Sequence, residues 1–319
     1  MTKIDLVTGF LGSGKTTMII EYVTYLTGIG ERVAVICNDY GAINVDRLFL
    51  VDALSQDVPV EMVIGGDKDC ARRRLKTKLI SIGMGLPDEE GRPGRKFDRV
   101  IIEPSGIFDA EDFFNLIYEE PLSNWFTMGN VITMVDGSFP TDCSRAVRYM
   151  LATELSHAGI ILANRIESEQ GLAKLGSFLN ACLTEFGGET IRVPFLPVSK
   201  QEDKSLYEKV SSAGYRSMDL SRISDDELSH FQSLFFFHPK LSVEDAEDRI
   251  EKLMKDSACG RIYRLKGFIP RHDGTYLMIN ATPKSFRADL TPIGQEVFIL
   301  IGEDLSEDNI RSYIPIADN

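Results

Sequence analysis

The run Gly9-Phe10-Leu11-Gly12-Ser13-Gly14-Lys15-Thr16 constrains this chain more than any other feature. It has the spacing GxxxxGK[ST], follows the apolar stretch Ile4 to Val7, and opens a stretch of helical periodicity from Thr16 to Leu26. Glycines in such a run let the backbone wrap a phosphate closely, with several N–H groups pointing inward and the positive end of the next helix behind them. Gly12, Ser13 and Gly14 are therefore candidate phosphate contacts, and Lys15 is the cation that reaches the β- and γ-oxygens. Thr16 offers a hydroxyl to Mg²⁺, and Thr17 is a candidate contact to the α-phosphate.

The remainder of the first 200 residues repeats the same alternation. Val33 to Cys37, Val100 to Ile102, Val131 to Val135 and Ile160 to Ala163 are continuous apolar runs, the pattern of strands covered on both faces. Helical stretches separate them. The prediction is an α/β fold, a P-loop nucleoside triphosphatase with a doubly wound, mainly parallel sheet. A chain of 319 residues, 43% of them hydrophobic, has room for a second domain. The apolar run Leu234 to Phe237, a helix over Val243 to Lys255, and strands over Arg261 to Phe268, Tyr276 to Asn280 and Val297 to Ile301 predict a small C-terminal α+β domain. The expected boundaries are 1–200 for the nucleotide domain, 201–232 for a polar connecting segment, and 233–319 for the C-terminal domain. Gly83 to Lys96, rich in Gly and Pro, reads as a surface loop.

Acids and an amide follow the strands at the edge where ligands bind in such sheets. Glu103 ends the run Val100 to Ile102 and precedes Pro104-Ser105-Gly106; it is a candidate for holding Mg²⁺, and Gly106 for offering its N–H near the γ-phosphate. Asp39, after Val33 to Cys37, is a second candidate for the metal or for the attacking water. With Lys15, these acids form the expected catalytic set. Asn164-Arg165-Ile166-Glu167 resembles the guanine reader Asn-Lys-x-Asp: Glu167 can accept two hydrogen bonds from the base, and Arg165 can pack on its ring. An acid in this role would be left unpaired by adenine. Ser199 is a further candidate contact to the base oxygen.

The formal charge of −13 argues against nucleic acid as a partner. The five cysteines are scattered without a CxxC pair and read as reduced thiols. No apolar run approaches the roughly 18 residues that cross a membrane, and Asp5 interrupts what would be a signal peptide. A cytoplasmic location without membrane association is the expectation.

Together, Val7 to Thr17, Asn38-Asp39-Tyr40-Gly41, Glu103 to Gly106, Val135-Asp136, Asn164 to Glu167 and Gly260 to Phe268 resemble the CobW-like GTPase family, relatives of the UreG and HypB metal-insertion proteins. The resemblance implies binding of GTP and GDP with Mg²⁺, slow intrinsic hydrolysis, and a metallochaperone role toward a client metalloenzyme or cofactor-dependent protein; a homodimer is a candidate state that the sequence does not decide. One departure stands out. Where the family carries Gly-Cys-x-Cys-Cys, this chain has Gly66-Asp67-Lys68-Asp69-Cys70. Two thiolates have become carboxylates, which favour harder ions, so a transition-metal site at Asp67, Asp69 and Cys70 would have altered selectivity. A GTP-gated interaction protein without transition-metal binding is the alternative, and a P-loop small-molecule kinase a second. Arg72, Arg73 and Arg74 follow; as a helix this segment turns Leu75 and Leu79 inward and its cations outward, where one arginine could meet the γ-phosphate or an acidic partner.

Overall fold

The computed structural model describes residues 1–10, 12–39, 45–64, 68–85, 94, 96–104, 110–198 and 203–316. They form two compact units, residues 1–143 with 148–222, and residues 144–147 with 223–319.

The first unit runs β1 (Thr2–Thr8), α1 (Lys15–Gly28), β2 (Val33–Asp39), α2 (Val45–Ala53), β3 (Val60–Ile64), α3 (Lys68–Met84), β4 (Arg99–Glu103), α4 (Ala110–Tyr118), β5 (Phe126–Asp136), α5 (Arg145–Ser156), β6 (Ile160–Asn164), α6 (Glu169–Glu185), β7 (Phe195–Pro197) and α7 (Lys204–Ser211). Its strands pair in parallel in the order β3-β2-β4-β1-β5-β6-β7. The predicted doubly wound sheet is present, and β2 shows why its strands read as unbroken apolar runs. Val33, Val35 and Cys37 enter a core shared with Met18, Ile19 and Tyr22 of α1, whereas Ala34 and Ile36 enter another shared with α3 and α4. Both faces are covered, so no polar residue alternates. On α3, Leu75 and Leu79 are buried as the helical spacing predicts.

A charged side chain lies inside this sheet. Asp5 is fully buried in β1 and accepts hydrogen bonds from Arg99 Nη1 at 2.6 Å, Tyr22 OH at 2.7 Å and Asn130 N at 2.8 Å. The β1–β5 register shifts between Ile4 and Leu6, and Gly129 supplies the room, since a Cβ there would stand 2.2 Å from Asp5 Oδ1.

Two segments differ from expectation. The stretch over 201–232 was expected to be a polar connector, yet α7 within it buries Leu206, Tyr207 and Val210 in the α1-side core, and residues through 222 belong to the first unit. Polar composition hid an amphipathic helix, which Asp203 caps by accepting from Ser205 N and Leu206 N. Gly83 and Met84, expected to open the loop over Gly83 to Lys96, belong instead to α3, and residues 86–93 and 95 of that stretch lie outside the described residues. Gly83 lets the Trp125 ring approach to 2.5 Å from where a Cβ would be, so its lack of a side chain serves packing.

In the second unit, α8 (Asp225–Ser229), β8 (Phe231–Phe237), α9 (Val243–Lys255), β9 (Arg261–Pro270), β10 (Tyr276–Thr282), β11 (Ser285–Thr291), β12 (Val297–Glu303) and α10 (Glu307–Tyr313) build an antiparallel sheet in the order β11-β10-β9-β12-β8. Phe236, Leu265, Phe298 and Leu300 pack with Ile250 and Leu253 of α9. The α+β character matches the expectation. Strand β11 escaped the sequence reading because most of it is exposed and polar.

Candidate nucleotide site

The chain runs outward from β1 through β2 to β3, then returns through β4 and crosses β1 to β5, so the C-terminal ends of β2, β4, β1, β5 and β6 lie side by side. Register places Cys37 beside Glu103, Leu6 beside Ile102, and Asp136 beside Asn164. Groups from five separated stretches of sequence thus meet along one edge, with the glycine-rich loop at the centre.

The loop is held by steric exclusion and by hydrogen bonds. Gly9 has φ 129°, and a Cβ there would fall 2.2 Å from the Met134 carbonyl oxygen. Gly14, with φ 104°, would bring a Cβ within 2.5 Å of Asn164 Nδ2. Only glycine fits either place. Lys15 is buried and donates from Nζ to the Gly9 carbonyl at 2.9 Å. Ser13 is fully buried, and its Oγ has no hydrogen-bond partner among the described residues. A buried hydroxyl without a partner is costly, and a phosphate oxygen would satisfy it. Thr16 and Thr17 stand in the first turn of α1, where the helix N–H groups are unsatisfied.

The Asn164–Glu167 segment is laced to this loop. Asn164 Nδ2 donates to the Ser13 carbonyl at 3.0 Å, and Arg165 Nη1 donates to the Gly12 carbonyl at 3.1 Å. The same guanidinium pairs with Asp136 Oδ2, while Asp136 Oδ1 accepts from Ser138 N at 2.8 Å. Arg165 adopts a left-handed φ of 56°, and Gly137 N donates to the Asn164 carbonyl at 2.8 Å, so the ends of β5 and β6 are tied together. Glu167 follows in an exposed position. Asn164 therefore acts here as a clip on the phosphate loop, with Arg165 beside it.

Glu103 is buried at the end of β4, next to the loop strand. Asp39 ends β2, but its side chain lies outside the described residues, as do Gly106, Ser199, Asp67 and the side chain of Asp69. Cys70 is half-buried in the first turn of α3, and Arg73 Nη2 donates to its Sγ at 3.8 Å. Among the described residues, no group of three or more His, Cys, Asp and Glu side chains is arranged to hold a metal ion. Arg72 and Lys76 converge on Glu119 at 2.6 and 2.7 Å, so that arginine already has an acidic partner just beyond α4. All five cysteines are free, and burial pushes the Cys182 thiol up to about 12.

Sequence reasoning missed Glu154 at this site, and it had Asp136 only as part of the family resemblance, with no role of its own. Glu154, on α5, accepts a hydrogen bond from Gly9 N at 3.1 Å and lies close enough to Lys15 to feel its charge. Burial raises its carboxyl above the usual carboxylate range, and the Lys15 charge opposes that rise. Nothing in the sequence around Glu154 marks it, since only the packing of α5 brings it beneath the loop.

Comparison with known proteins assigns the chain to a family. The nucleotide-binding domain described as CobW/HypB/UreG matches residues 3–181. The chain belongs to the CobW/HypB/UreG family. The zinc chaperone YeiR of Escherichia coli is 29% identical over 181 residues, covering 54% of this chain and 51% of that protein. This chain thus spans about half the length of that curated relative. The zinc chaperone CobW of a Sinorhizobium species is 24% identical over 297 residues, covering 82% and 80% of the two chains. The crystal structure of the Zn(II)-bound YjiA GTPase from E. coli is 20% identical, covers 98% of this chain and 97% of its own, and has a TM-score of 0.38. No helix among the described residues of this family member is long and apolar enough to cross a membrane.

Proposed function

We propose that this family member binds GTP and GDP with Mg²⁺ at Gly9 to Thr17, hydrolyses GTP slowly, and uses the nucleotide state to control delivery of a metal or metallocofactor to a client protein. The observation that carries the guanine assignment is the lacing of Asn164 and Arg165 onto the carbonyls of Ser13 and Gly12, which fixes Glu167 in sequence just beyond the phosphate cradle. In this proposal the N–H groups of Gly12, Ser13 and Gly14 and the ammonium of Lys15 hold the phosphates. Gly106 N–H lies toward the γ-phosphate, Glu167 accepts from the base, Arg165 packs on its ring, and Ser199 completes its surround.

The donors available for a divalent ion are the Thr16 hydroxyl and the carboxyl groups of Asp39 and Glu103, hard oxygen ligands that fit Mg²⁺. Bound there, Mg²⁺ would neutralise charge developing on the transferring phosphoryl group. Glu103 and Asp39 also orient the attacking water. The zinc chaperones among the relatives support a metal cargo, and Asp67, Asp69 and Cys70 are the candidate cargo ligands. The carboxylates there support a harder or weaker selectivity than a three-thiolate set. A GTP-gated interaction protein without transition-metal binding rests on the same two carboxylates.

Calorimetric titration with Zn²⁺, Co²⁺ and Ni²⁺ in GTP-Mg²⁺ and in GDP-Mg²⁺ separates these readings. Nucleotide-dependent binding that disappears in an Asp67→Ala/Asp69→Ala/Cys70→Ala variant supports the chaperone. No binding in either nucleotide state removes the cargo role and leaves a switch that acts through its partner alone.

A further inference from the structure

Strand β11 lies at an open edge of the second unit's sheet, paired with β10 on one side only. Its sequence, Ser-Phe-Arg-Ala-Asp-Leu-Thr, is chemically symmetric about Ala288. Counted outward from that alanine, Arg287 matches Asp289, Phe286 matches Leu290, and Ser285 matches Thr291: opposite charges, two apolar groups and two hydroxyls. A strand of this kind complements an antiparallel copy of itself. An edge that must stay unpaired is usually kept short or carries a proline or charges of one sign, as β7 does with three residues ending in Pro197.

The backbone of β11 has the phase that such pairing needs. Thr282 and Ser285 are register partners on either side of a two-residue turn, so they exchange the hydrogen bonds that close the hairpin. Bonding alternates along an antiparallel pair. Ser285, Arg287, Asp289 and Thr291 therefore turn their N–H and C=O groups to β10, and Phe286, Ala288 and Leu290 turn theirs to the open edge. Three two-fold registers near the middle of the strand keep this phase. Centred on Arg287, two arginines stand face to face; centred on Asp289, two aspartates do. Centred on Ala288, each Arg287 stands opposite the partner's Asp289, twice by symmetry. These would be the pairs without mutual backbone bonds, whose Cα atoms approach to about 4.5 Å and whose side chains lie closest.

The side chains are available for this. Arg287 and Asp289 are exposed, and among the described residues neither has an ion-pair partner. Leu290 is 64% exposed, whereas Phe286, and Leu277 opposite Leu290 on β10, pack at the margin of the core. Pairing would set the partner's Phe286 beside Leu290 and carry the apolar layer across the axis. A net charge of −13 makes two copies repel at long range, so they associate best where the local charges cancel, as Arg287 and Asp289 do.

We propose that β11 is a homodimer interface, in which two copies of this chain pair antiparallel about Ala288 and join their five-stranded sheets edge to edge. The inference is independent of the nucleotide and metal readings. A contact made by one strand pair is small, so the dimer should be weak, with a Kd on the order of 10 µM.

The test is sedimentation equilibrium across the micromolar range, without nucleotide or transition metal. Arg287→Asp or Asp289→Arg alone turns both charge pairs from attractive to repulsive, and each should weaken the dimer by about tenfold or more. The double variant Arg287→Asp/Asp289→Arg restores opposite charges in the same register, and should return to within about threefold of wild type. Ala288→Pro removes an outward N–H and no bond to β10, and should abolish the dimer with the circular dichroism spectrum unchanged. Wild type that stays monomeric throughout would overturn the inference. So would a dimer that survives either single reversal or Ala288→Pro unweakened, or a double variant no tighter than the single ones.

Discussion

Two polar clusters lie against β1, one at Asp5 and one at Thr8 and Gly9, and their charges are balanced in different ways. At Asp5 every charged group has a fixed opposite or a fixed donor. Arg99 Nη1 meets Asp5, and its Nε meets Glu31 at 2.8 Å, with Tyr22 and Asn130 closing the remaining sites. At the loop end the partners are neutral backbone groups. Lys15 rests on the Gly9 carbonyl and Glu154 accepts from the Gly9 N–H, so the ammonium can exchange its contact for a ligand. The comparison teaches that burial alone does not mark a functional charge. What separates the two clusters is whether a ligand can outbid the existing partners, and only the second leaves that opening.

Breaking the first cluster should cost stability. Asp5→Asn leaves the Arg99 guanidinium buried beside a neutral amide, with Glu31 as its remaining acid, and should lower unfolding free energy by about 3 kcal/mol in urea titration. A loss below about 1 kcal/mol would mean that the cluster is not the fixed foundation described.

Releasing one contact at the loop end should cost affinity with little effect on stability. Asp136→Asn frees the Arg165 guanidinium from its acid, and should weaken GTP and GDP alike by about tenfold in competition titrations, because the base side of the site is loosened and the phosphate side is not. An effect confined to GTP would assign Asp136 to the phosphates instead.

The smallest expected effect provides an exposed reference for both clusters. His230 Nδ1 lies 2.6 Å from Asp304 on the surface of the second unit, and that contact raises its pKa. The pairing is present below the ordinary histidine range and is lost as pH rises through the raised value. NMR titration should place His230 above about 6.5, and Asp304→Asn should return it there. No return would assign the shift to other neighbours.

Much of this was legible in the sequence, for identifiable reasons. The phosphate loop declares itself because its glycines are imposed by local geometry, and strands such as Val33 to Cys37 because both of their faces are covered. Asn164 and Arg165 were legible as a motif, but their use as clips on Ser13 and Gly12 was not, since the motif says nothing of distance to the loop. Helix α7 was hidden by averaging three buried side chains into a polar stretch. Glu154 could not be read as functional at all, and Asp136 was legible only as part of the family resemblance, because their contacts arise where α5 and β5 pass the loop.

The most direct test of the central claim is titration of wild type and Lys15→Ala with GTP and with ATP, both with Mg²⁺. Wild type should bind GTP at least about a hundredfold more tightly than ATP, and Lys15→Ala should lose about a hundredfold or more in GTP affinity while its circular dichroism spectrum is unchanged. Equal affinity for GTP and ATP, or wild-type GTP affinity in Lys15→Ala, would contradict the account.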